Sequence, residues 1–370
     1  MRSKRTGQNR PGIKNWKQMS KMTGLTDSFI RDPGYRKALG LPDEVIETYS
    51  PLARGEYNIN YSFAHPETMR KLILRVNTGS QMHLDRQIEY EAHALKLLSV
   101  SGRTPRVYYV DGSRRLSDHG ILVMEFLPGR YPVYENEEDM NGVIKCLADI
   151  HCVNIPAEEI IYGEPFEVPR DTVRLIAPGS AIGAILDECE AMVRTYMETD
   201  IGSESVKSRL RKLLDRGHEI AAGISDDAGI RCCINTELNS TNFLVDDTGY
   251  VRLVDWEKPL YADPAQDLGH LLAPTTTFWK TDTVLSSEET DRLISEYIEA
   301  VRGRYDTDGI RRRTHEFITI TCLRGLTWCA MAWVDYQKPG KLITNESTRI
   351  KLDQYLSDKF LSDIEKRFGL

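Results

Sequence analysis

Residues Ile234 to Glu257 constrain the fold of this chain more than any other stretch. They read INTELNSTNFLVDDTGYVRLVDWE. Two short apolar runs, Phe243–Val245 and Tyr250–Val254, flank Asp246-Asp247-Thr248-Gly249. That is turn chemistry between two strands, so the segment predicts a β-hairpin. A hairpin here folds Asp255 back beside Asn242 and Glu237, bringing three oxygen-bearing side chains to one place. An amide and a carboxylate at strand ends suit Mg²⁺, a hard cation that keeps waters and takes phosphate oxygens. A further carboxylate suits a base that orients a hydroxyl. Together they read as the polar half of a phosphoryl-transfer site.

The stretch resembles the catalytic segment of the aminoglycoside phosphotransferase/choline kinase family. The pattern there is His-Gly-Asp, four residues, Asn, a hairpin, and an Asp commonly followed by Trp-Glu. The spacing matches throughout. The chemistry departs at the start, where Asn235-Thr236-Glu237 stands for His-Gly-Asp. The base position therefore carries a side chain one methylene longer. The resemblance implies an α+β, two-lobed protein kinase-like fold, with a small antiparallel-sheet N-lobe and a mostly helical C-lobe. On that reading residues 1–44 are a basic extension, 45–127 the nucleotide-binding N-lobe, and 128–370 the helical C-lobe with the hairpin and acceptor site.

Strand signals begin at Val45. Val45–Ser50, Tyr61–Ala64 and Lys71–Val76 are expected strands, and a short helix is expected around Asp27–Leu39. The link Leu52–Asn60 matches the family's loop over the nucleotide phosphates, with Gly55 and Asn58 in its Gly and Asn places. The same residue types serve any hairpin, so both readings stay open. A helix follows over Asp85–Val100 with Ile88, Ala92, Leu95 and Leu98 as its apolar stripe. Glu91 shares that inward face by spacing, and burying a carboxylate alone is costly, so it needs a cation. Arg75, just inside the end of the third strand, is the candidate. In kinase-like folds that cation grips nucleotide phosphates and a helix glutamate holds it.

Pro105–Val110 and Gly120–Leu127 read as two more strands, ending at Pro128-Gly129. The resemblance makes Glu125, Phe126 and Leu127 the hinge whose main chain meets the adenine edge. A helix with Met140, Val143, Ile144 and Leu147 on one face ends at His151, read as structural. A longer helical run spans Ala181–Ile224, with a break near Asp200–Ser203. Asp263-Pro264 reads as a helix N-cap followed by a first-turn proline. The family implies that Asp267 braces the catalytic loop through backbone hydrogen bonds. The chain then reads helical, and Trp328, Trp333 and Tyr336 read as core packing.

Composition narrows the rest. Residues 1–22 hold seven Lys/Arg and no acid, and subtracting that charge from the chain's −7 leaves about −14 on the remainder. The tail reads as solvated; contact with nucleic acid is the other reading. No apolar stretch approaches the ~18 residues of a membrane span, and the N-terminus lacks a signal-like apolar run. Seven cysteines without C-x-x-C spacing argue against a zinc site or a disulfide framework, and fit a cytoplasmic protein. The expected function is transfer of phosphate from ATP or GTP, with Mg²⁺, to a hydroxyl of a small molecule. The acidic body favours a cationic acceptor. The alternative is a nucleotide-binding pseudokinase without transfer activity, because Glu237 stands at the catalytic Asp position. In the active reading Asp255 and Asn242 hold the metal, Arg75 with Glu91 holds phosphates, and Glu237 orients the acceptor.

Overall fold

The apolar residues of the N-terminal part pack on one antiparallel sheet, and those of the C-terminal part on one long helix. A computed structural model describes residues 27–223, 230–338 and 346–370, so the basic stretch 1–22 lies outside the described residues. The chain divides into two units. The first is Met1–Val100, Thr104–Leu127 and Pro165–Arg174; the second is Ser101–Arg103, Pro128–Glu164 and Leu175–Leu370. The first therefore takes in the extension and a later excursion, which the expected 45–127 boundaries left out.

The first unit contains α1 (Asp27–Ile30), α2 (Pro33–Leu39), β1 (Ser50–Arg54), β2 (Asn58–Ala64), β3 (Lys71–Asn77), α3 (Gln87–Leu98), β4 (Val107–Asp111) and β5 (Gly120–Glu125). The five strands form an antiparallel sheet in the order β1-β2-β3-β5-β4. Asp32 caps α2 by accepting from the Tyr35 amide at 3.0 Å, Pro33 starts it, and Gly40 ends it at φ 68°. Phe29, Ile30 and Tyr35 are buried with Tyr61, Leu74 and Val123. From Asp27 onward the extension is thus part of the sheet's core rather than a tail.

The first strand lies later than expected, at Ser50–Arg54 instead of Val45–Ser50. The apolar signal before it has another source. Tyr49 is buried and its hydroxyl meets that of Tyr35 at 2.8 Å, while Glu47 is buried against the Arg36 guanidinium at 3.0 Å. Those residues pack on α2, and β1 itself is exposed throughout.

The second unit contains α4 (Glu137–His151), β6 (Ile160–Tyr162), β7 (Leu175–Ala177), α5 (Ala181–Met197), α6 (Glu204–Gly223), β8 (Cys232–Ile234), β9 (Phe243–Val245), β10 (Val251–Leu253), β11 (Leu260–Ala262), α7 (Pro264–Leu272), α8 (Pro274–Lys280), α9 (Ser287–Ala300), α10 (Ile310–Gln337), α11 (Glu346–Tyr355) and α12 (Asp358–Phe368). Helix α10 packs against α5, α6 and α7. By length and composition it could span a membrane, but here it is the buried centre of the helical unit. β9 and β10 form the expected hairpin, with Val245 opposite Val251 and Phe243 opposite Leu253. β8 pairs with β11, Ile234 opposite Leu260. These two ribbons fix both ends of the segment 235–242 and the start of 255–259. All seven cysteines are free; six are buried and Cys152 is half-buried.

Candidate active site

The loop after β8 is held by one buried carboxylate. Asp267, on the first turn of α7, is fully buried and accepts from the Asn235 amide at 2.8 Å and the Thr236 amide at 2.7 Å. Its Oδ2 also meets His151 Nε2 at 3.2 Å. A carboxylate only accepts, so His151 donates from Nε2; its Nδ1 meets the Tyr297 hydroxyl at 2.7 Å. Asp267 sits on α7 because Asp263 caps that helix, accepting from the Ala265 amide at 2.9 Å, and Pro264 starts it.

The Asn235 side chain ties the loop to the residue after the hairpin. Its Nδ2 donates to the Asp255 carbonyl at 2.9 Å, and its Oδ1 accepts from the Glu237 amide at 3.3 Å. Thr236 adopts φ 77°, a left-handed value that a β-branched residue rarely takes. Its hydroxyl donates to the Lys258 carbonyl at 2.9 Å, which helps hold that conformation. Asp255 is also left-handed, at φ 66°, and its side chain is exposed. Asn242 ends a 3-10 turn capped by Asn239: the Asn239 amide donates to Asn242 Oδ1 at 3.2 Å. The Val254 amide donates to the Asn242 carbonyl at 2.8 Å. Glu237, Asn242 and Asp255 are thereby linked through a short hydrogen-bonded frame, and Glu237 is half-buried.

A cavity of about 370 Å³ opens beside this loop, with Asn239, His270, Arg324, Trp279 and Trp328 in its wall. His270 Nδ1 donates to the Leu238 carbonyl at 2.7 Å. Burial lowers the His270 pKa from its ordinary value of 6.5, so the ring is neutral and Nε2 is an acceptor. Trp279 and Trp328 meet edge to face, centroids 5.4 Å apart at 88°. Arg324 makes two bonds to Glu188, at 2.8 and 3.1 Å.

The first unit holds its own constellation. Arg75 on β3 is buried and pairs with Glu91 on α3, Nη1 to Oε1 at 2.5 Å, while its Nε donates to Asn60 Oδ1 at 3.0 Å. The turn between β1 and β2 is shorter than expected, only Gly55 to Tyr57, because Leu52–Arg54 and Asn58–Asn60 are strand residues. Gly55 is exposed, and its amide donates to the Asn58 carbonyl at 2.8 Å. Asn58 is buried in β2, where its Oδ1 accepts from Asn77 Nδ2 at 3.0 Å; it lies in the strand rather than in the expected loop. At the end of β5, the Glu125 amide donates to the Arg106 carbonyl at 2.8 Å and the Phe126 amide to the Lys71 carbonyl at 3.4 Å. Phe126 also lies under Lys71 Nζ, 3.7 Å from its ring centroid, and Leu127 is buried.

The sequence profile of the phosphotransferase enzyme family matches residues 48–311. The chain belongs to that family. Solved structures share the protein kinase-like fold at low identity. Spectinomycin phosphotransferase, solved with ADP and spectinomycin, is 12% identical with a TM-score of 0.58, covering 88% of this chain and 93% of that one. Plasmodium vivax ethanolamine kinase is 16% identical with a TM-score of 0.56, covering 97% of both chains. Streptococcus pneumoniae choline kinase is 19% identical with a TM-score of 0.53, covering 89% of this chain and 97% of that one. A comparison with curated proteins finds no match.

Within this family the departure at Asn235-Thr236-Glu237 acquires a structural account. Thr236 takes the left-handed backbone that a glycine adopts freely, and Asn235 occupies the place of the histidine. The cavity residues His270, Trp279, Arg324 and Glu188 carried no motif signal. Trp328, expected in the core, is 39% exposed and lines the cavity instead. Trp333 stacks edge-on against Tyr196 and donates to Asp353 Oδ1 at 2.9 Å, closer to the packing role expected of it.

Proposed function

We propose that this protein transfers the γ-phosphoryl group of ATP or GTP to a hydroxyl of a small molecule. The observation that carries the reading is the loop frame: Asp267 holds Asn235 and Thr236, and Asn235 ties Glu237 to Asp255. In the reaction the acceptor oxygen forms a bond to the γ-phosphorus, the bond to the β-bridging oxygen breaks, and the nucleoside diphosphate leaves. Glu237 orients the acceptor hydroxyl and takes its proton late, since little proton transfer precedes a loose transition state. Arg75, aimed by Glu91 and Asn60, holds nucleotide phosphates. The turn at Gly55 covers them, with Asn58 fixing its base, and the main chain at Glu125–Leu127 meets the nucleobase.

The exposed carboxylate of Asp255 and the amide oxygen of Asn242 are hard donors, which fits Mg²⁺. Among the described residues no group of three or more His, Cys, Asp or Glu is arranged as a metal site. Two protein donors therefore suit an ion that arrives with the nucleotide. When bound, Mg²⁺ would neutralise charge on the transferring phosphates. Seven free thiols fit a reducing cytoplasm.

A protein that only holds nucleotide would also use Arg75, Asn242 and Asp255. The conformation of Thr236 favours transfer. A left-handed non-glycine residue costs on the order of 1–3 kcal/mol, and such strain gathers at working sites. A mere binder gains nothing from aiming Glu237 at that cost. The test pairs Mg·ATP and Mg·GTP binding with transfer to a panel of hydroxyl compounds. Asp255→Ala should abolish metal-dependent nucleotide binding. Glu237→Gln should spare binding and lower transfer by about 10²–10⁴-fold. A wild type that binds nucleotide but transfers to nothing would leave the binding-only reading.

A further inference from the structure

The geometry points to His270 as a positioning residue for phosphoryl transfer, one that fixes the aim of Glu237 by holding the peptide that follows it. The inference rests on the transfer reading. Glu237 is one bond longer than an aspartate, so the same play in its backbone swings its carboxylate through a wider arc. A misplacement of about 1 Å can cost about 10²-fold in rate. The loop that carries Glu237 is held on both sides of it, and both holds come from α7. Before Glu237, Asp267 accepts from the Asn235 and Thr236 amides at 2.8 and 2.7 Å. After it, His270 Nδ1 donates to the Leu238 carbonyl at 2.7 Å. Asp267 and His270 are three residues apart on one helix, so they share a face. One accepts and the other donates, which matches amides on one side of Glu237 and a carbonyl on the other.

The platform beneath these two side chains is tight. Gly269 packs α7 directly on α10: a Cβ there would overlap the Phe317 Cβ and stand 2.8 Å from the Phe317 carbonyl carbon. Only a residue without a side chain permits that approach. Leu238 is fully buried, and a buried carbonyl needs a donor. The same contact settles the state of the ring. The Leu238 carbonyl only accepts, so the neutral ring carries its proton on Nδ1 and leaves Nε2 bare. Burial keeps the ring neutral; Arg324 acts in the same direction, while the charges of Glu237 and Asp267 oppose it. His270 also lies in the cavity wall with Asn239, the residue after Leu238. The ring thus meets both the loop and the space beside it. A side chain that served stability alone would move the unfolding midpoint and leave the rate of the folded protein unchanged. A positioning residue moves the rate.

The test uses three variants of the full chain. His270→Asn places an amide N–H where Nδ1 stands, the same number of bonds from the backbone, and keeps a donor for Leu238. His270→Gln places its amide where Nε2 stands and loses that bond. His270→Phe keeps a ring and has no donor. Transfer is measured from γ-labelled ATP to water, glycerol, choline and glucosamine, Mg·ATP affinity by calorimetry, and loop order by amide exchange over residues 235–242. For each acceptor the wild type uses, His270→Phe should lower kcat by about 10²-fold. Its Mg·ATP affinity should change by less than about threefold. His270→Asn should recover at least about tenfold of the lost rate, and His270→Gln should not. Exchange over 237–242 should quicken in His270→Phe and return in His270→Asn, with the Asn235 and Thr236 amides still protected by Asp267. A wild-type kcat in folded His270→Phe overturns the inference, and so does His270→Asn no faster than His270→Gln. If His270→Phe fails to fold, the comparison of His270→Asn with His270→Gln decides alone. A wild type that binds Mg·ATP but transfers to none of the four acceptors defeats the transfer reading. Exchange then decides the hold on the loop: faster exchange in His270→Gln than in His270→Asn upholds it, and equal exchange overturns it.

Discussion

Thr236 holds, with the help of one side-chain hydrogen bond, a backbone conformation that suits glycine better. The residue sits at φ 77°, where glycine would sit without strain. Its hydroxyl bond to Lys258 is one source of compensation, and the Asp267–amide bond is the other. Thr236→Ala keeps the strain and loses the hydroxyl bond, so it should destabilise the fold by about 1 kcal/mol in urea denaturation. Thr236→Gly removes strain but adds chain entropy and loses the same bond, so those terms should nearly cancel. An alanine variant as stable as the wild type would show that the hydroxyl contributes nothing. Glu91 offers a sharper case, because its partner Arg75 is also buried. Glu91→Ala leaves a buried guanidinium without its ion-pair partner and should cost about 3–5 kcal/mol in thermal or urea unfolding. Replacement by Gln, which retains an acceptor, should cost less.

At the scale of elements, α7 carries both the brace and the cavity wall, through Asp267 and His270. This gives the protein an acid-sensitive element. Burial lowers the folded pKa of His270 below 6.5, so the folded state favours the neutral ring. Above about pH 6.5 the unfolded ring is neutral too, and the contribution is fully present. As pH falls below that value the unfolded chain takes up a proton that the folded chain refuses, and stability drops until the folded pKa is passed. Urea midpoints measured from pH 8 to pH 5 should therefore decline at the acid end, and His270→Gln should flatten that slope. The same slope in the variant would assign the effect to other groups. Helix α7 was legible in the chain because its start is written in local chemistry, Asp263 then Pro264. The hairpin was legible because alternating apolar residues bracket a turn. The inward position of Glu91 followed from helical period. β1 was misplaced because it is an exposed edge with no buried face to pattern it, while the apolar residues just before it serve α2. The cavity was illegible for a related reason. Apolar residues surround α10 on nearly all sides, so no periodicity marks Trp328 as facing open space. Arg324 and Glu188 stand far apart in the chain, and only folding pairs them.

For the molecule as a whole, the N-terminal boundary matters to anyone preparing the protein. Deleting residues 1–44 removes Phe29, Ile30 and Tyr35 from the sheet's core, each buried to within 1%. Losing one such side chain typically costs about 2–5 kcal/mol, so a chain starting at Val45 should fail to yield soluble, cooperatively unfolding protein. A soluble truncated protein with the wild-type melting temperature would refute the role given to those residues. The thiols bear on a different experiment. Six of the seven are sealed from solvent, and burial pushes Cys146 up to about 12 and Cys189 to about 11. Alkylating reagents act on thiolates, so the native protein presents them almost nothing at neutral pH. Each of the six sealed thiols becomes reactive only when its own surroundings open. Because Cys232 and Cys233 precede the loop 235–242 while Cys322 and Cys329 lie in α10, site-resolved labelling rates would time the opening of the loop's anchor separately from that of the helical centre, with no probe added to the chain.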